Sequence, residues 1–205
     1  MFYALRPTAL CGAILVGCLV LLASHSRAEI VDLVVTGAQG NGLLPGNINP
    51  GTSSNGSGAI GSTGLFLDTD TNILHVDVEW GSENGFSDLT GEIILLHLHG
   101  PTPSLAPDNF GEVNPDILVN LGNSLNFNSS ASGGGLVDEF FLSNAQEEYV
   151  LSGRTYINVH TDLYPTGEIR GYILPASSIP EPSAATIMVA MMLFAGGRRR
   201  INLMR

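Results

Sequence analysis

The strand, turn and second strand at residues 153–174 limit the fold of this chain more than any other stretch. Tyr156, Asn158 and His160 alternate with Ile157 and Val159, the period-2 pattern of a half-buried strand. Asp162, Pro165 and Gly167 then break the chain, and Ile169 with residues 172–174 starts the return. A second hairpin lies earlier. Residues 57–67 form a strand with a Gly-rich start, residues 68–72 a turn, and residues 73–80 the return. In that return Leu74, Val76, Val78 and Trp80 share one face, and His75, Asp77 and Glu79 share the other. Two such hairpins, with only 13% charged residues and 25 glycines, point to an all-β protein with many turns.

Further strands are expected at residues 30–36, 89–99, 116–121 and 136–142. The centre of 89–99 is almost wholly apolar, as in a strand covered on both sides. Residues 37–56 and the proline-containing stretch 101–115 read as loops, and a Ser/Asn/Gly-rich connection follows at 126–135. Ser143-x-x-Gln146 has the form of a capping box, so residues 144–151 are expected as one short helical turn with Gly153 as its stop. Asp68-x-Asp70-x-Asn72 imitates the start of a calcium loop but lacks the later Gly and bidentate Glu. The same residues suit a tight turn, because their side chains bond their own backbone.

Charge excludes one class of partner. The chain has no Lys, and residues 29–180 hold 18 acidic residues against Arg154 and Arg170. Nucleic acid and anionic membrane surfaces need a basic footprint that this span lacks. Both cysteines, Cys11 and Cys18, lie in the apolar N-terminal stretch, so no disulfide can brace the remainder.

Residues 1–28 have the layout of a signal peptide. Arg6 precedes the apolar run 9–23, and Ser26-Arg27-Ala28 offers a cleavage site before Glu29. A retained membrane helix and a lipobox ending at Cys18 are the alternatives.

From residue 92 onward the order of features resembles that of CHRD domains, first described in chordin. A strand ends in His97-Leu98-His99-Gly100-Pro101. A loop, a short strand and a helical turn follow. Gly153-x-x-Tyr156-x-Asn158-Val159-His160-Thr161 and Gly167-Glu168-Ile169-Arg170-Gly171 close the pattern. With the earlier hairpin, the resemblance covers residues 57–174 and implies an immunoglobulin-like, Greek-key β-sandwich. The C-terminus resembles a PEP-CTERM sorting signal. Pro180, Glu181 and Pro182 precede an apolar segment, and Arg198, Arg199 and Arg200 follow it. That resemblance implies transient insertion in the inner membrane of a Gram-negative bacterium and processing by an exosortase-type enzyme; a permanent C-terminal anchor is the alternative.

The expected organisation is therefore a leader (1–28), an N-terminal strand and loop (29–56), a sandwich (57–175) and a sorting tail (176–205), with a targeting helix at each end. The chemistry centres on histidine. His97 and His99 sit two apart on one strand, so both imidazoles face the same way. His160 ends another strand and His75 lies on the polar face of a third. Such a set is a recurring way to hold copper or zinc on a β-sandwich, as copper-zinc superoxide dismutases do on a Greek-key fold. The alternative is that these histidines bond loop backbones and cap the sandwich. Glu168 is expected to pair with Arg154 or Arg170. No hydrolase, nucleotide-binding or metalloprotease signature is present, and no catalytic residue is assigned. The reading is an exported, non-catalytic surface or matrix module that binds polysaccharide or another surface protein, with a small copper/zinc metalloprotein as the alternative.

Overall fold

The computed structural model describes residues 29–48, 50–103, 114–123 and 128–178. The expected leader, the sorting tail and most of the loop at 101–115 lie outside the described residues. Among the described residues, no helix is long and apolar enough to cross a membrane.

The described residues form nine strands and one α-helix: β1 (Ile30–Gly37), β2 (Gly40–Asn41), β3 (Gly58–Asp68), β4 (Ile73–Trp80), β5 (Ile93–His99), β6 (Ile117–Asn120), β7 (Gly135–Phe141), α1 (Asn144–Leu151), β8 (Thr155–Thr161) and β9 (Ile169–Pro175). Every pairing is antiparallel. The strands follow one path, β6-β5-β8-β9-β1-β3-β4-β7, with β2 paired to β1, so the sheet nearly closes on itself. The all-β class with one short helix is as expected.

The path folds into two layers because β1 changes partner along its length. Ile30, Val31 and Asp32 pair with β3, whereas residues 33–36 pair with β9. Leu43 and Leu44 repeat the exchange one step later: Leu43 bonds Gly58 of β3, and Leu44 bonds Arg170 of β9. The first strand and its loop thus belong to the sandwich, which starts before residue 57. One apolar core lies between the layers, with Leu74, Val76, Val78 and Trp80 of β4 facing Leu96, Leu98, Ile157 and Val159. Trp80 is fully buried and its indole N–H donates to Ser130 O at 2.9 Å.

Local chemistry explains the turns. Asp68 Oδ1 accepts from the amides of Asp70 (2.9 Å) and Thr71 (3.3 Å), and Asn72 takes φ 56°, a left-handed value that Asn tolerates. The Thr71 and Asp70 bonds hold the Asp68 carboxyl below the usual carboxylate value. The segment is a hairpin turn. In α1 the capping box forms as expected: Ser143 Oγ accepts from Gln146 N–H, and Gln146 Oε1 accepts from Ser143 N–H. The helix ends with Gly153 at φ 67°. Gly153 N–H donates to Val150 O and Arg154 N–H to Tyr149 O, which is a Schellman closure.

Three burial expectations are corrected. The 89–99 strand begins only at Ile93, and Ile94 and Leu95 are 47% and 40% exposed, because the ladder slips between Ile93 and Leu95. Asp77, expected on the outer face of β4, is buried because it accepts from Thr63 N–H and Oγ1–H, both at 2.7 Å. Strand β8, expected half-buried, is buried at all seven positions.

Candidate metal centre

The burial of β8 on both faces is what builds the site. Ile157 and Val159 enter the core, so by strand alternation Tyr156, Asn158 and His160 face the opposite side. On β5 the same alternation separates Leu96 and Leu98 from His97 and His99. On β9 it separates Ile169 and Ile173 from Arg170 and Tyr172. Register then assembles two rows across the three strands. One is His99, Tyr156, Tyr172, and the other is His97, Asn158, Arg170. This second, polar layer is covered by Asn114 and Pro115 and by the turn between β8 and β9.

His97, His99 and His160 converge. One ligand nitrogen from each lies within 4.8 Å of the others. His97 Nδ1 is 3.2 Å from His160 Nε2. The ring centroids of His97 and His160 are 4.8 Å apart, and those of His97 and His99 5.4 Å. Two tautomers follow from their partners. His99 Nδ1 is 2.9 Å from Pro115 O, and His160 Nδ1 is 2.9 Å from Pro165 O. A carbonyl oxygen can only accept, so each Nδ1 carries the proton and each Nε2 carries a lone pair. His99 Nε2 is buried with no hydrogen-bond partner.

Burial also sets the charge. It pushes His160 down to about 4 against the opposing bond to the Pro165 carbonyl, with smaller pushes downward from His97, His99 and Arg170. It lowers His97 and His99 in the same direction. All three imidazoles are therefore neutral at neutral pH, the form that ligates metal. Burial raises the Tyr156 phenol to about 12. Tyr156 stacks on His99 with centroids 5.1 Å apart, and the Arg170 guanidinium carbon lies 4.0 Å from the centroid of the Tyr156 ring. Arg170 Nη2 donates to Asn114 Oδ1 at 2.6 Å.

His75 is elsewhere. It stacks on Phe66 at 4.5 Å, its Nε2 is 3.0 Å from Thr63 Oγ1, and its Nδ1 is 3.7 Å from Glu139 Oε1. The expected pairing of Glu168 with arginine does not form. Glu168 is fully buried, and its oxygens accept from Ser54 Oγ–H, Thr90 N–H, Gly91 N–H and Thr161 Oγ1–H. Four donors satisfy the carboxylate without a cation. Arg154 instead donates from Nε to Thr102 O at 2.7 Å and lies over Tyr149. The sorting residues Pro180, Glu181, Pro182 and Arg198, Arg199 and Arg200 fall outside the described residues.

Residues 32–173 match the family model for the CHRD domain. The chain belongs to the CHRD domain family. CHRD is an extracellular-type domain, and here the match begins within β1, in line with that strand's place in both layers. No curated protein and no solved structure matches the chain. Within this CHRD domain, sequence reasoning found the histidines but missed Tyr156, Asn158 and Asn114 as their neighbours. A signal for two of them was present, since Tyr156 and Asn158 precede His160 on the same strand face.

Proposed function

We propose that this chain is an exported, non-catalytic CHRD module whose ligand is a copper or zinc ion held by His97, His99 and His160. The observation that carries the reading is the convergence of three buried, neutral imidazoles, two of them anchored through Nδ1 so that Nε2 is left to ligate. The 3.2 Å contact between His97 Nδ1 and His160 Nε2 is a hydrogen bond that an ion on the three imidazoles would replace. An all-imidazole set suits copper and zinc and is a poor one for calcium or magnesium. Export and sorting rest on the leader-like residues 1–28 and on the Pro180–Pro182 and Arg198–Arg200 pattern. Polysaccharide or a second surface protein is then the matrix partner of a metal-bearing module.

Calorimetric titration of chelator-stripped protein, purified without a histidine tag, tests the reading. One equivalent of zinc(II) or copper(II) should bind to the native chain and far less tightly to His99→Ala and His160→Ala. Uptake below a tenth of an equivalent, or uptake unaltered by both substitutions, refutes it.

A further inference from the structure

A cavity of about 220 Å³ lies beside the three histidines, with His99, Tyr156, Asn158, His160 and Arg170 in its wall. Three buried polar atoms of that wall have no hydrogen-bond partner: His99 Nε2, the Tyr156 hydroxyl and Asn158 Oδ1. Tyr156 is 0% exposed and Asn158 1%, so bulk water does not reach either group. Buried polar groups are nearly always paired, and three orphans around one cavity call for an occupant. A metal ion on the histidines accounts for His99 Nε2 alone.

The other two orphans describe what sits next to the ion. Tyr156 belongs to the cavity wall and its buried hydroxyl is without a partner; a hydroxyl can donate to an oxygen atom. Asn158 Nδ2 donates to Thr166 O at 3.1 Å, which fixes the amide so that Oδ1 is the acceptor left over. A water held beside the ligand can donate to it. Charge points the same way. A divalent ion on three neutral imidazoles would bring its full charge into this buried site, and no carboxylate is among the described residues of its wall. A buried excess of positive charge favours a small anion there. Two oxygens on one planar group would let one bind the ion while the other accepts from Tyr156.

We propose that the metal keeps a fourth coordination position open to this cavity, and that the position takes a small carboxylate anchored by the Tyr156 hydroxyl. This rests on the three-histidine metal reading. Three protein ligands and one exchangeable position are the arrangement by which a bound metal meets an outside ligand.

Cobalt(II) substitution gives the readout, because its visible bands report coordination directly. Protein carrying one equivalent of cobalt(II) should change its spectrum saturably with formate. Tyr156→Phe keeps the ring on His99 and removes only the hydroxyl. It should still take up one equivalent of cobalt(II) but bind formate about tenfold more weakly, the loss of one hydrogen bond to a charged group. Bands unmoved by formate in cobalt-loaded protein overturn the anion site and leave the metal reading intact. Equal formate affinity in Tyr156→Phe overturns the anchoring role. Failure to bind cobalt(II), zinc(II) or copper(II) removes both proposals together.

Discussion

His160 is a base kept neutral by its surroundings. Its folded-state value of about 4 lies below the ordinary histidine value of 6.5, so the unfolded chain binds the proton more readily between those limits. Stability is then fully present above pH 6.5 and falls as pH drops towards 4. The loss should reach about 3 kcal/mol over that window. Chemical denaturation of metal-free protein at a series of pH values checks this, and His160→Gln should flatten the slope. Asp68 and Asp88, both held below the ordinary carboxylate value of 3.8, act only at lower pH. Tyr156 makes the opposite kind of test. Its buried hydroxyl has no partner, so Tyr156→Phe should leave metal-free stability within about 1 kcal/mol of the native chain or raise it. A clear fall in melting temperature would mean that the hydroxyl is bonded in the folded protein.

At the scale of elements, α1 and β9 differ in how far sequence foretold them. Helix α1 was legible from both ends, because capping is a local rule written in Ser143, Gln146 and Gly153. Ser143→Ala should cost about 1 kcal/mol, read from the denaturation midpoint. Strand β9 was legible as a strand, but its crowding was not. A Cβ on Gly171 would run into Val35 Cγ1 and come within 2.8 Å of Gly42 O. Those neighbours arrive from far along the chain, through β1 and the segment after it. Gly171→Ala should therefore destabilise by about 1–3 kcal/mol, well beyond a surface substitution. The same reason explains the histidines. The placement of His97 and His99 on one strand face follows from spacing, whereas the bonds that orient His99 and His160 go to the Pro115 and Pro165 carbonyls, which no periodicity locates. Glu168 was misread on similar grounds, since Ser54, Thr90 and Gly91 come from loops with no pattern to announce them.

For the whole molecule, the seam between the layers decides cooperativity. Strand β1 is hydrogen-bonded to β3 at one end and β9 at the other, and Leu43–Leu44 ties the same two strands again. A chain starting at Gly37 loses the first tie and Leu33 and Val35 of the core. It should show no cooperative thermal transition by circular dichroism, and a sharp melt at an unchanged temperature would show that β1 is dispensable. The His97–His160 contact spans 63 residues of chain, and none of the described residues is a cysteine. An ion there would act as a removable staple, closing a long loop in the unfolded state's disfavour much as a disulfide does. The strength of the fastening would then be set by the free metal around the protein, so that the same polypeptide is stiff where the ion is plentiful and looser where it is scarce.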